Sequence, residues 1–239
     1  MRFLIPFLLL VSCAPTVGPG SGPDGTLRAA FSDAGVAWAA GGRACVARQP
    51  SFTPVCPRLP GVVAVAWHAG QAWAGVPGLA SLVTLDGAPA TVPVGRVTAM
   101  SAERVYREDG SAVDYAGAAA PGVRGRAAEA LTGGDGEEYL LLGGRVVRVR
   151  DAATLPGQGF SSLNWRPGGV SGGTFREVGT ETGSYRLTGT HLERVDAAGQ
   201  VRARVPHGAG AVGRVGAWIV TVDTAGRVRV FGPDLGEQT

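Results

Sequence analysis

The last long stretch of the chain alternates apolar and polar side chains twice. Trp218-Ile-Val-Thr-Val-Asp223 and Arg227-Val-Arg-Val-Phe231 flank the turn Asp223-Thr-Ala-Gly226. A period of two is the signature of half-buried antiparallel strands. The same unit recurs upstream as a short apolar strand, a polar turn, an aromatic-led strand, a Gly turn and a third strand. The copies begin at Leu27–Phe31, Val62–Trp67, Val97–Met100, Ala127–Leu131 and Phe175–Val178. Ala127–Leu131 could form a helical turn by propensity, but its place in the repeat predicts a strand. Asp109-Gly110 between Val105-Tyr106 and Ala112–Tyr115 is a strong hairpin signal.

The leading aromatics are Trp38, Trp73, Tyr106, Tyr139, Tyr185 and Trp218, at spacings of 35, 33, 33, 46 and 33 residues. A near-constant period of three or four short strands predicts an all-β, β-propeller-like domain of about six small blades over 26–239. The alternative is a β-sandwich, which would not require the recurrence. Over residues 26 to 232 the units resemble the degenerate repeats of bacterial envelope propellers of the quinoprotein or WD40-like kind, although no unit carries Trp-Asp. Leu27–Phe31 is placed as a strand of the first unit, or as an outer strand closing the last one.

The 46-residue spacing marks an insertion, located at Leu155–Gly169. Long loops on rigid scaffolds are where binding groups gather. Phe160, Asn164, Trp165 and Arg166 offer a stacking surface beside hydrogen-bonding groups, suited to a sugar or a partner's side chain. The competing reading is a degenerate extra strand with Trp165 in the core.

Composition adds little chemistry. With 39 Gly and 16 Pro, turns must be frequent. All 22 basic residues are Arg, and a net charge of +3 spread along the chain does not indicate a nucleic-acid partner.

The N-terminus carries an address. Met1-Arg2 precedes nine apolar residues, Phe3–Val11, far short of the ~20 that span a bilayer. Leu10-Val11-Ser12-Cys13 resembles the lipobox of bacterial lipoproteins. That resemblance implies a signal peptide over 1–12, Cys13 as acyl acceptor (a palmitate-type anchor) and a cell-envelope location outside the cytoplasm. Residues 13–25, rich in Pro and Gly, then read as a tether. Cys45 and Cys56 form an even remainder in an exported chain, which predicts a disulfide.

Other motifs reduce to structure. Gly133–Glu138 resembles a single calcium-binding nonapeptide of secreted repeat toxins, but its place in the repeat makes it a turn. Asp33-Ala-Gly-Val-Ala-Trp38 is similar to a partial Asp-box and predicts a hairpin. His68, His191 and His207 lack zinc spacing. There is no nucleophile elbow, P-loop or dinucleotide fingerprint, and Asp114, Glu129, Glu181 and Glu193 could act as a glycosidase dyad only if the fold paired them. No catalytic residue, metal or cofactor is therefore assigned. The leading expectation is a non-enzymatic binding or scaffold protein with an envelope protein partner. A glycan or small-ligand receptor using 155–169 is the alternative, and a propeller-type hydrolase or lactonase the second.

Overall fold

A computed structural model describes residues 27–238, so the expected signal peptide, Cys13 and the tether to residue 25 lie outside the described residues. The fold is all-β: six small antiparallel blades in a propeller arrangement, with the innermost strand of each blade first in sequence. Blade 1 comprises β1 (Arg28–Ser32), β2 (Gly35–Ala40), β3 (Arg43–Arg48) and β4 (Pro54–Val55). Blade 2 has β5 (Ala64–His68), β6 (Gln71–Val76), β7 (Ser81–Thr84) and β8 (Thr91–Pro93). Blade 3 has β9 (Val97–Met100), β10 (Val105–Arg107), β11 (Ala112–Val113) and β12 (Ala119–Ala120). Blade 4 has β13 (Glu129–Thr132), β14 (Glu138–Leu142) and β15 (Arg145–Arg148).

A hairpin of β16 (Ser162–Arg166) and β17 (Gly169–Gly173) follows. Blade 5 then runs β18 (Arg176–Thr180), β19 (Gly183–Leu187), β20 (His191–Asp196) and β21 (Val201–Pro206). Blade 6 holds β22 (Gly210–Val215), β23 (Trp218–Asp223) and β24 (Val228–Phe231). The sandwich alternative is thereby excluded.

The segment 155–169 holds the extra strand of the competing reading, because β16 and the start of β17 fall inside it. Within β17 the run Gly-Val-Ser-Gly-Gly breaks the alternation that would have revealed the strand. β16 pairs with β18 in parallel through Trp165 and Val178, so the hairpin is wedged between blades 4 and 5. One expectation needs correction, that Leu27–Phe31 closes the last blade. β1 is the innermost strand of blade 1, paired along its length with β2, and does not complete the last blade. Blade 6 is instead extended by an isolated bridge from Phe231 to Glu237.

The repeat aromatics all stand on the second strand of their blades. From there they reach the apolar clusters that fill the seams between sectors. Tyr106 packs with Leu140 of blade 4, Tyr139 with Leu163 and Val170 of the hairpin, and Tyr185 with Ile219 and Phe231 of blade 6. Trp38 and Trp218 share the cluster that closes the ring between blades 6 and 1. A small sheet cannot bury both faces alone, which is why one large side chain per unit must reach its neighbour.

Hydrogen bonds tie most seams as well. Trp67 Nε1 donates to Ala30 O at 3.0 Å, Tyr185 Oη to Pro233 O at 2.6 Å, and the Gly134 N–H to Arg166 O at 3.0 Å. The seam between blades 6 and 1 has no such bond among the described residues and is apolar, with Phe31 lying against Gly213. A Cβ at Gly213 would stand 2.1 Å from the Phe31 ring, so this approach requires glycine.

The exposed turns follow the sequence. Asp114, Asp196 and Asp223 each open an Asp-x-x-Gly turn in which the carboxylate accepts two backbone N–H bonds of 2.8–2.9 Å. The Gln200 N–H and the neighbouring Arg202 hold Asp196 below the usual carboxylate range.

Cys45 and Cys56 are disulfide-bonded, fastening β3 to the segment after β4. With 11 residues of separation, loop-closure entropy predicts a loss of about 2–3 kcal/mol for Cys45→Ser/Cys56→Ser. Urea unfolding under oxidising conditions checks this; an unchanged midpoint would contradict it.

Candidate functional site

The innermost strands β1, β5, β9, β13, β16, β18 and β22 surround an axial channel. Its entry face is where these strands begin and its exit face is where they end. Antiparallel connection places the turns between second and third strands on the entry face, and those between first and second strands on the exit face.

Mid-channel, Glu129 of β13 stands between two arginines. Its carboxylate accepts Arg28 Nη1 at 3.1 Å and Arg176 Nη1 at 3.0 Å, with a further close contact to Arg176 Nη2. It also accepts the Leu163 N–H of β16 at 2.9 Å. One side chain thus links blades 1, 4 and 5 with the hairpin, and the carboxylate is only 10% exposed. These four partners leave it no free lone pair for proton transfer, so the arrangement is a cross-tie.

On the exit face a cavity of about 580 Å³ opens between blades 1, 4, 5 and 6 and the hairpin. Phe31, Trp165 and Val178 supply its apolar wall, and Asp33, Arg176 and Arg214 its charge. The Arg214 guanidinium lies 5.9 Å from the Trp165 ring centroid, a cation–π approach. Both Arg214 and Asp33 are exposed, and neither has an ion-pair partner among the described residues. A flat aromatic wall beside two free charges of opposite sign can bind a polar ligand or an anchor side chain.

Of the four residues expected to bind, the structure brings two to this cavity. Trp165 forms part of its wall while its other side packs on the cluster of blades 5 and 6. Asn164 also lines it but is 3% exposed. Its amide donates to Phe175 O and accepts the Glu177 N–H, both at 3.0 Å. Arg166 is held by Ser171 at 3.0 Å and by Glu177. Phe160 turns into the cluster of blade 4 and the hairpin, close to Gly157 and Gly172.

On the entry face a second cavity, of about 470 Å³, opens among blades 1 to 4. Arg28, Arg96, Arg126 and Glu108 bring charge to it, and Gly41, Gly42 and Gly61 form part of the rim. Sequence reading missed this set. Its signal was an arginine at or shortly before the innermost strand in blades 1, 3 and 4: Arg28, Arg96 and Arg126.

Candidate catalytic groups are not brought together. Asp114 caps its own turn, Glu193 pairs with Arg186, and Glu181 is exposed in the turn after β18. His68 stacks on Tyr115 at 4.1 Å, and buried His207 meets Thr221 Oγ1 at 2.7 Å. No group of three His, Cys, Asp or Glu side chains among the described residues could hold a metal ion.

A buried polar knot lies at the seam of blades 3 and 4, where Glu138 meets Arg104, Ser101 and the Tyr106 hydroxyl. Tyr115 Oη donates to Ser101 O at 2.6 Å. Burial pushes the Tyr106 hydroxyl up to about 12 and the Tyr115 hydroxyl also well above its ordinary range. Up to pH ~9 both are neutral in folded and unfolded chains, so their contribution is complete. Above that the unfolded chain ionises first, and stability should fall by about 2 kcal/mol for Tyr106 alone as pH climbs to 12. Urea midpoints from pH 9 to 12 measure this slope, and Tyr106→Phe should reduce it, leaving the part that Tyr115 contributes.

No protein-family model matches the chain, and no curated protein matches it in sequence. Among solved structures it is similar to PorZ, an essential bacterial surface component of the type-IX secretion system of Porphyromonas gingivalis. The TM-score is 0.56 at 12% identity, over 88% of this chain and 37% of that one. It thus spans little more than a third of PorZ. BamB from Moraxella catarrhalis aligns at TM-score 0.45 and 14% identity, covering 84% and 83% of the two chains. Virginiamycin B lyase from Staphylococcus aureus aligns at 0.39 and 11%, covering 90% and 83%. What the likeness to PorZ establishes is a shared fold, a ring of antiparallel blades.

Proposed function

We propose that this chain is a lipid-anchored protein of the cell envelope that binds a partner protein non-catalytically at the exit-face cavity. The observation that carries the reading is the pairing of a rigid aromatic wall, Trp165, with the unpaired charges of Arg214 and Asp33 in an open cavity. The charged groups deeper in the channel are committed to one another through Glu129, which favours binding over chemistry. The lipobox-like Leu10–Cys13 and the disulfide support export and anchoring. A glycan or small polar ligand is the second reading, favoured by the same stacking face of Trp165.

Arg214 is exposed, so a photoreactive residue there leaves the packing intact. In intact envelopes it should yield one protein adduct, while the same residue at Asp223, on the opposite face, yields none. Absence of protein adducts at both positions, with stabilisation by cell-wall fragments, would transfer the site to a glycan. Anchoring is tested separately: labelled palmitate should enter the wild type and not Cys13→Ala, and equal labelling would refute it.

A further inference from the structure

The charges on the two faces of the ring differ. Thirteen arginines are held in ion pairs with carboxylates. Eight others have no such partner among the described residues: Arg43, Arg58, Arg124, Arg126 and Arg145 lie on the entry face, Arg194 and Arg204 on the outer strands of blade 5, and Arg214 on the exit face. Arg43 and Arg145 open the third strands of blades 1 and 4, directly after the Gly41-Gly42 and Gly143-Gly144 turns. Arg58 lies in the link from blade 1 to blade 2, and Arg124 and Arg126 in the link from blade 3 to blade 4. All five entry-face arginines are exposed. The exit-face turns carry carboxylates without an ion-pair partner among the described residues: Asp33, Glu103, Asp135 and Glu181.

The chain also enters the fold on the basic face, since Leu27 immediately precedes Arg28 at the start of β1. Whatever lies N-terminal to residue 27 is therefore attached beside these arginines.

We infer that the entry face of blades 1 to 4 docks on an anionic bilayer surface, its unpaired arginines meeting phospholipid phosphates. Guanidinium groups bind phosphate in a forked geometry and remain charged at any relevant pH. An acyl chain alone holds a protein only marginally at a membrane, and a basic patch supplies the second contact. Docked this way, the ring would present its exit-face cavity away from the membrane. The inference concerns the same molecule as the proposed anchor but stands without it, because it rests on the folded domain's charge.

The test uses the full chain with Cys13→Ser, which removes the acyl acceptor, in flotation with phosphatidylcholine vesicles with and without phosphatidylglycerol. Phosphatidylglycerol should raise binding at least ~10-fold at low salt, and molar salt should abolish the gain. Uncleaved apolar residues 3–11 would bind both vesicle types alike, so only the difference is read. Arg43→Gln/Arg124→Gln/Arg126→Gln/Arg145→Gln should lose the gain. Arg148→Gln/Arg150→Gln/Arg194→Gln/Arg202→Gln removes equal charge from blades 4 and 5, away from the entry face, and should keep it. Equal binding to both vesicle types, or equal losses in the two variants, would overturn the assignment. Protein adducts at a photoreactive residue at position 126, without any phosphatidylglycerol preference, would give the face to an acidic protein instead.

Discussion

Trp38→Ala should lower stability by about 3–5 kcal/mol, the usual cost of deleting a fully buried large aromatic. The indole is 2% exposed and packs with Val215, Val220 and Val222 across the seam of blades 6 and 1. Ala47 and Cys45 close its other side, so the strands have little freedom to collapse into the cavity left behind. Chemical denaturation gives the magnitude and native-state hydrogen exchange the place. Amides of β1 and β22 should lose protection before those of β9 or β14. A uniform loss of protection over all blades would show that this seam is no weaker than the rest.

Glu129→Ala should cost about 3 kcal/mol. Removing one partner of a buried ion pair typically costs 3–5 kcal/mol, and the roughly one-third exposure of both arginines places this case at the low end. The substitution leaves Arg28 and Arg176 facing each other and deprives the Leu163 N–H of its acceptor. Glu129→Gln keeps the shape and one acceptor oxygen, and should cost less. Arg28→Met/Glu129→Leu/Arg176→Met removes all three charges together and should recover most of the loss. Urea midpoints of the three variants distinguish a cross-tie from a merely tolerated charge, since Glu129→Ala would be neutral in the second case.

The architecture was legible because its cause is periodic. Each blade needs a large side chain at the same place to reach its neighbour, so Trp38, Trp73, Tyr106, Tyr139, Tyr185 and Trp218 recur near 33 residues and all fall on second strands. The Asp-x-x-Gly turns were legible for a local reason, since one carboxylate satisfies the turn's own amides. Groups assembled by ring closure were not. Glu129 is 101 residues from Arg28 and 47 from Arg176, and nothing in their local sequence distinguishes them from solvated charges. The hairpin after blade 4 was obscured differently. Gly172 leaves room for Phe160 and Gly173 for Asn164, so the glycines that make the packing possible also erase the strand's alternation.

The seam between blades 6 and 1 should respond to temperature differently from the others. Burial of apolar surface near room temperature is driven by water entropy and weakens on cooling, whereas hydrogen bonds such as that of Trp67 to Ala30 do not share that dependence. The ring is therefore closed by the contact most sensitive to cold. Chilling should loosen the junction of first and last blades while the other seams hold, turning a closed ring into an open arc.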